Sequence, residues 1–256
     1  QRQIEVLQPE KLRSNQKLGK RLKEIQPDLL IVVAYGQIIP KSILDLAKLG
    51  NINVHPSLLP KYRGASPIQN AILNNEAKTG LTIMLMDEEM YHGPILADRE
   101  INLDGSETNE SLHQKLSGQL GTEFLLATLE KFLNQKIEPQ DQEHNQATYC
   151  RLLTKDEAKI NWQDSAKNIS AKIRAFYPWP VAWTTLNSQR VKIFPPVEII
   201  NKIAEPGQIF LANKKLAVGC QTGSLLINQL QFEGKNKVST KDFIIGNRAV
   251  INQLFK

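Results

Sequence analysis

The feature that most constrains the fold of this 256-residue chain is an alternation of helical and strand patterns in its first half. Leu18, Leu22 and Ile25 are spaced as on one face of a helix, which we expect over residues 9–25. Residues 29–34 (LLIVVA) then predict a strand that is apolar on both faces, as is typical of parallel sheets covered by helices. The alternation therefore predicts an α/β layer architecture.

Similar patterns continue along the chain. Strands are predicted at residues 51–54, 81–86 and 95–103, and helices at 66–73, 108–133 and 164–176. Short strand-like runs follow at 182–186, 191–194, 207–210, 216–220 and 225–231, and their close spacing predicts a small barrel or sandwich. The polar segment 135–146 lacks an apolar period and is interpreted as a linker. We expect domains at 1–139 and 156–256, joined by a linker at 140–155.

Charge is distributed unevenly between the two halves. Residues 1–155 carry 18 Lys and Arg against 19 Asp and Glu, whereas residues 156–256 carry 14 against 7, a net charge of +7. Such an excess favours a phosphate-rich partner, although it also serves solubility alone. No apolar stretch approaches the ~18 residues that span a bilayer, so no membrane partner is expected. Cys150 and Cys220 have the spacing of neither a disulfide framework nor a metal site.

Asn53 and His55 lie at the end of the strand predicted at 51–54. Side chains alternate along a strand, so both point to one face, at the end where open α/β sheets form ligand crevices. An amide and an imidazole side by side can stabilise an oxyanion and handle a proton. The alternative is purely structural: an asparagine turn and a hydrogen-bonded histidine.

The longer stretch 53–64 (NVHPSLLPKYRG) resembles the signature of folate-dependent formyltransferases. The resemblance implies that Asn53 and His55 stabilise the intermediate formed when an amine attacks the formyl carbon of 10-formyltetrahydrofolate. It also implies a folate pocket beside them, formed by Val33, Ala34, Tyr35, Gly36, Ser57, Leu58, Leu59 and Pro60.

Residues 173–184 (IRAFYPWPVAWT) are similar to a segment of the methionyl-tRNA formyltransferase members, and residues 230–235 and 242–246 resemble their closing elements. The resemblance implies a Rossmann-like formyltransferase domain, with its first strands missing, followed by a smaller C-terminal OB-like β-barrel domain that contacts tRNA. Leu152 stands where the family has a lysine, and Arg151 is a candidate replacement. The candidate tRNA contacts are Arg151, Arg174, Arg190, Lys192 and Lys235.

The implied activity is transfer of a formyl group from 10-formyltetrahydrofolate to the α-amino group of methionine on initiator tRNA. It would need no metal and would take place on a monomer, in bacterial cytoplasm or in an organelle that starts translation with formylmethionine. Initiator Met-tRNA and the folate are the expected partners.

Tyr91 departs from the family pattern. Residues 86–94 read MDEEMYHGP, and the family has its catalytic aspartate at position 91. A phenol, with a reference pKa near ~10, is a poor base at neutral pH. Losing an acid–base group costs ~10²–10⁴-fold in rate. Reduced or absent activity is therefore expected, and two other hypotheses stay open: a catalytically dead tRNA-binding remnant, and a sugar or nucleotide-amine formyltransferase, which the second half of the chain disfavours.

Overall fold

The computed structural model describes residues 4–12 and 15–256, which form two compact units. The first unit comprises Gln1–Ala65, Gly80–Glu100 and Gln119–Cys150, and the second comprises Ser66–Thr79, Ile101–Gly118 and Arg151–Lys256. Each unit is thus assembled from three stretches of chain. The domain boundaries expected at residues 139 and 155 stay a prediction.

The first unit contains a mixed sheet. Its elements are α1 (Gln16–Ile25), β1 (Leu30–Val33), α2 (Lys41–Leu44), β2 (Asn51–His55) and β3 (Arg63–Gly64). The second unit's α3 (Pro67–Leu73) comes next, and β4 (Lys78–Leu85) and β5 (Ile95–Asn102) follow it. Strand order is β1-β2-β4-β5 within the described residues; β1 runs parallel to β2, and β4 antiparallel to it. Helix α4 (Asn109–Ser117) belongs to the second unit, and α5 (Gln119–Leu133) and β6 (Tyr149–Cys150) complete the first.

Strand β1 differs from its prediction. Its residues alternate between half-buried and exposed, and Ile31 and Val33 are 44% and 56% exposed. The expectation of a strand covered on both faces is therefore wrong for β1, because β1 ends the sheet order and one of its faces lacks cover among the described residues. Ile52 and Ile83, on β2 and β4, are fully buried and form the core with Leu96.

Two helix predictions also need correction. The first helix begins at Gln16 rather than Pro9, because the Asn15 side chain caps it by accepting from the Leu18 amide at 2.9 Å. The helix expected over 108–133 is two helices, α4 and α5, because Gly118 leaves the helical conformation with ψ −146°.

The polar segment 135–146 is not a free linker. The backbones of Gln140 and Ile95 exchange two hydrogen bonds, of 2.7 and 2.9 Å, and Gln142 is only 6% exposed. A short 3-10 turn, His144–Gln146, closes the segment. Gln142 is buried because its amide bonds to other polar groups, whereas most of the remaining polar side chains of the segment are exposed.

The second unit is built on a curled antiparallel sheet. Its remaining elements are α6 (Ala166–Ala175), β7 (Trp183–Leu186), β8 (Gln189–Ile200), β9 (Ile209–Ala212), β10 (Lys215–Gly219), β11 (Ser224–Phe232), β12 (Val238–Ser239) and α7 (Thr240–Gly246). Strand order is β7-β8-β11-β10-β9 in the described part of the chain, with β12 beside β11. The predicted helix and short strands are confirmed, with small changes of boundary except at β8, which continues to Ile200 rather than ending at Phe194.

The inner face of this sheet forms a core with α6. Ile169 and Ile173 of the helix pack with alternate residues of β8, such as Val191 and Ile193, all at most 1% exposed. The indole of Trp162 donates to Thr184 Oγ1 at 3.0 Å, which satisfies the polar groups buried there. Among the residues that the structure describes, we find no helix with the length and apolar character needed to cross a membrane.

Candidate functional site

The parallel pairing of β1 and β2 brings their carboxyl ends together. Val32 is opposite Asn53 and Val33 is opposite Val54, so the turn that follows β1 starts beside the Asn53–His55 pair. Asn53 is 8% exposed and His55 is 2% exposed. Asn53 and His55, the pair predicted to carry chemistry, therefore lie at the carboxyl ends of the strands, where α/β proteins bind ligands.

The Asn53 amide is only partly satisfied by the protein. Its Nδ2 donates to the Val32 carbonyl at 3.3 Å, and its Oδ1 is buried without a hydrogen-bond partner in the described residues. A buried acceptor without a donor is costly unless something binds there. The amide thus offers one free acceptor and one further N–H, which fits a polar substrate group.

His55 is held as a neutral imidazole. Its Nε2 donates to the Tyr62 carbonyl at 2.8 Å, so Nδ1 keeps its lone pair. Burial lowers the pKa of His55 from 6.5 to about 4, against a smaller opposing effect of the Tyr62 hydrogen bond. At neutral pH the ring is uncharged, and Nδ1 is a hydrogen-bond acceptor.

The turn after His55 is fixed by internal hydrogen bonds. Thr82 Oγ1 donates to the Ser57 carbonyl at 2.7 Å and accepts from the Leu59 amide at 3.0 Å. The Ser57 hydroxyl donates to the Lys61 carbonyl at 2.6 Å. Ser57 and the Leu59 amide therefore shape the loop, while Leu58 and Pro60 are half-buried and offer apolar surface. Sequence reasoning missed Thr82, which carried no signal beyond its place in a predicted strand.

The other predicted folate positions follow β1. Tyr35 is 40% exposed, and Ala34 and Gly36 have positive φ angles of 47° and 71°. They form an open turn, with Val33, beside the carboxyl end of β2.

The glycine that follows Arg63 is required by close contact between two backbones. Strand β3 pairs in parallel with β6, with Gly64 opposite Cys150. Gly64 has φ +127°, and a Cβ there would collide with the Cys150 carbonyl. Glycine lets the two backbones approach, and Arg63 next to it is 3% exposed.

Tyr91 contacts the catalytic candidate directly. Its ring centroid lies 4.3 Å from that of His55, with the planes tilted by 40°. Burial raises the pKa of Tyr91, and the nearby Cys150 thiol raises it less. The phenol is therefore neutral and supplies no charge to the imidazole.

The neighbouring acidic residues are engaged elsewhere. Asp87 accepts from the Glu89 amide at 2.9 Å and from His92 Nδ1 at 2.7 Å, and Glu88 pairs with Lys41 at 2.7 Å. Glu89 is exposed. Within the described part of the chain, no group of three His, Cys, Asp or Glu side chains has the arrangement of a metal site.

The predicted tRNA contacts fall into different environments. Arg174 is 8% exposed and donates to the Glu107 carbonyl at 2.9 Å, which turns its guanidinium inward, and burial lowers its pKa. Arg151 is exposed and pairs with Glu157 at 2.9 Å. Arg190 and Lys235 are exposed and Lys192 is half-buried.

A basic face follows the outer side of β8. Arg190 lies 4.2 Å over the Trp183 ring, and Lys159 lies 5.7 Å from it. Lys192 stands opposite Trp183 in the strand register, and Lys237 lies 5.0 Å from the Phe194 ring. Sequence reasoning missed Lys159, Trp183 and Lys237, although the period-two alternation of residues 189–194 already indicated an outward face.

Comparison with known proteins agrees with this architecture. A family model described as "Formyl transferase" matches residues 3–129, and one described as "Formyl transferase, C-terminal domain" matches residues 152–248. The crystal structure of HypX from Aquifex aeolicus in complex with tetrahydrofolic acid superimposes with a TM-score of 0.69 at 20% identity, over 89% of this chain but only 40% of that one. The class of protein that fold and site define is a two-domain formyl transferase, and the predicted fold class is confirmed.

Two curated relatives are more similar in sequence. The methionyl-tRNA formyltransferase of Thermodesulfovibrio yellowstonii is 44% identical over 245 residues, covering 96% of this chain and 78% of that protein. The methionyl-tRNA formyltransferase of Caldanaerobacter subterraneus subsp. tengcongensis is 39% identical over 249 residues, covering 96% and 80%. The chain belongs to the methionyl-tRNA formyltransferase family.

Proposed function

We propose that this protein transfers a formyl group from 10-formyltetrahydrofolate to the α-amino group of methionine esterified to initiator tRNA, and that Tyr91 slows the transfer. The observation that carries the proposal is the buried pair of Asn53 and neutral His55 beside the end of β1. Asn53 Oδ1, buried without a partner among the described residues, fits a substrate that brings a donor.

Asn53 and His55 have different roles in the proposed transfer. The bound folate supplies the formyl carbon, which the methionine amine attacks; negative charge develops on the formyl oxygen and positive charge on the amine. The second N–H of Asn53 is suited to stabilise that oxygen. His55 has committed its N–H to Tyr62, so its Nδ1 is the atom that accepts the proton of the amine. The carbon–nitrogen bond to the folate then breaks, and the folate nitrogen is protonated.

Tyr91 provides no negative charge to assist this proton transfer. With a pKa of about 4, His55 is a weak base at neutral pH. A carboxylate at position 91 would raise that pKa by its negative charge. The neutral phenol, 4.3 Å away, brings no such charge and fills the space beside the ring.

Two surfaces complete the proposal. The turn at 33–36 and the loop at 57–60 would hold the folate, through their open and apolar surface. The face formed by Arg190, Lys192 and Lys237 around Trp183, together with Lys235 and Arg151, would contact the tRNA; Arg174 is left out because it is turned inward. The proposed form is a monomer, in bacterial cytoplasm or in an organelle that starts translation with formylmethionine; the bacterial relatives favour the first location.

The decisive experiment compares the protein with its Tyr91→Asp and Tyr91→Phe variants in formyl transfer to Met-tRNA. We expect Tyr91→Asp to raise kcat by ~10²–10⁴-fold, the usual contribution of a positioned acid–base group. Tyr91→Phe is the matched control and should leave kcat near that of the native protein, because the phenol is neutral. If all three bind tRNA but none transfers formyl, the proposal fails.

A second candidate function is tRNA binding without catalysis. The contact between Tyr91 and His55 favours it, because the ring covers one side of the catalytic imidazole. This candidate predicts tRNA binding by the native protein without saturable folate binding. Folate binding measured by calorimetry on the native protein would decide against it.

A further inference from the structure

Arg63 is a buried cation in contact with neutral partners. Its Nη2 donates to Gln142 Oε1 at 2.7 Å and to His144 Nδ1 at 2.9 Å, and its Nη1 lies 3.5 Å from the Tyr149 hydroxyl. Its Nε is buried without a partner among the described residues. Burying a charge in this way is costly for stability. Such costs are typical of residues kept for function rather than for stability.

Gln142 transmits the position of Arg63 to a different loop. While its Oε1 accepts from Arg63, its Nε2 donates to the Tyr91 carbonyl at 3.0 Å and the Gly93 carbonyl at 2.7 Å. Both the oxygen and the nitrogen of the Gln142 amide are therefore hydrogen-bonded, and the residue is only 6% exposed. A glutamine is required here, since no other side chain of this length has an acceptor and a two-proton donor.

The same loop has a second attachment to this cluster. The ring of His92 stacks on His144 with centroids 3.9 Å apart and planes 4° from parallel, and His92 Nδ1 bonds to Asp87. His144 in turn accepts from Arg63. Residues 91, 92 and 93 are thus all linked to Arg63, through Gln142 or through His144.

Arg63 also adjoins the atom that holds His55. The Tyr62 carbonyl, which accepts from His55 Nε2, belongs to the peptide bond whose nitrogen is that of Arg63. Arg63 therefore connects Tyr62, whose carbonyl holds His55, with the loop that carries Tyr91.

We propose that Arg63 and Gln142 are a positioning pair, which holds the loop at 87–93 so that residue 91 faces His55 and so sets the geometry of proton transfer. The inference rests on the proposed function for its catalytic consequence, but the placement of the loop can be tested apart from activity. Neither residue touches the reacting atoms of the proposed transfer.

The substitution Gln142→Glu separates positioning from stability. A glutamate keeps the acceptor for Arg63 and gains an ion pair with it, but turns a carboxylate oxygen toward the two carbonyls at Tyr91 and Gly93. Breaking that attachment while keeping the contact between residue 142 and the Arg63 guanidinium should release the loop without unfolding the protein. Gln140→Glu is the matched control, because it makes the same charge change two residues away on an exposed side chain.

The first readout is the nuclear Overhauser effect between the rings of His55 and Tyr91. We expect it to be lost in Gln142→Glu and kept in Gln140→Glu, with urea unfolding midpoints close to the native value in both. Gln142→Asn, which shortens the reach of both ends, provides a second variant if Gln142→Glu does not fold. A persistent Overhauser effect in the folded Gln142 variants overturns the positioning pair.

The second readout is transfer kinetics. With Tyr91→Asp as the background, we expect Gln142→Glu to lower kcat ~10-fold or more while the KM for tRNA stays unchanged, because misplacement affects the reacting geometry. An unchanged kcat would contradict the catalytic part of the proposal. If the background protein transfers no formyl, the proposed function has failed, and the Overhauser result still decides the placement of the loop.

Discussion

At position 91 the backbone has a φ angle of 57°, a left-handed conformation that a tyrosine rarely adopts. Asparagine and aspartate visit this region several-fold more often, and the strain for other residues is about 1–2 kcal/mol. The attachments from Gln142 to the carbonyls of residues 91 and 93 hold the loop in this form. The backbone of the loop is therefore better suited to an aspartate, the residue expected at this position from the resemblance, than to the tyrosine it carries.

His55 should give the protein a distinctive response to acid. The unfolded chain binds a proton at this ring near pH 6.5, whereas the folded ring binds one only near pH 4. The stabilisation is therefore complete above pH 6.5 and is lost as pH falls toward 4; linkage gives a loss of about 2 kcal/mol between pH 7 and pH 5.

Urea unfolding at pH 7 and pH 5 measures this loss. His55→Gln should remove about that amount from the pH dependence, whereas His113→Gln, at an exposed position, should leave it unchanged. Equal pH dependence in the native protein and His55→Gln would mean that the imidazole is not held neutral.

At the level of elements, the segment at 140–150 has a larger role than its composition indicates. It pairs with β5 through Gln140, supplies Gln142 and His144 to the cluster around Arg63, and ends as β6 beside Gly64. Gln142 and His144 contribute hydrogen bonds rather than apolar packing, and such bonds leave no periodic pattern in a sequence. The segment is part of the site's framework.

Two glycines in helical surroundings should respond oppositely to alanine. Gly19 lies within α1 with no atom within 4 Å of the place for a Cβ, so Gly19→Ala should stabilise the helix by roughly 0.5–1 kcal/mol. At Gly118 a Cβ would lie 2.8 Å from the Gln114 carbonyl oxygen, so Gly118→Ala should destabilise the protein by about 1–3 kcal/mol.

Circular dichroism during thermal unfolding measures both effects. Each variant is the other's control, because the substitution is the same. A stabilising Gly118→Ala would mean that residue 118 can adopt the helical conformation expected of the single helix predicted over residues 108–133.

The sequence predicted most elements because their cores are periodic. The leucines of α4 and the alternation in β8 and β11 reflect burial that is local in the chain. It also predicted the Asn53–His55 pair, because strand ends and resemblance coincide there. The inward turn of Arg174, the bonds of Thr82 and the double use of Gln142 depend on partners 23 to 79 residues away, and no local pattern records them.

For the whole molecule, the asymmetry of charge is the feature with a measurable consequence. Residues 156–256 carry a net charge of +7, and Arg190, Lys192 and Lys237 place part of it along one strand face. The logarithm of the affinity falls linearly with the logarithm of the salt concentration, and each phosphate contact makes this slope steeper by about 0.9.

We expect Lys192→Gln to weaken tRNA binding and to reduce that slope by ~1. Lys48→Gln, at an exposed position of the first unit, is the matched control and should leave the slope unchanged. Fluorescence anisotropy of labelled tRNA across a salt series gives both slopes. Equal slopes for the two variants would place the tRNA contact elsewhere.

The backbone at position 91 also has a genetic consequence. Tyrosine and aspartate codons differ only in their first base, so one nucleotide change separates the two residues. Because the chain there already adopts the left-handed form that aspartate tolerates well, the change needs no rearrangement of the loop. Exchange of the phenol for a carboxylate is therefore a single mutational event, and a population carrying this gene stays one nucleotide away from an acidic group beside His55.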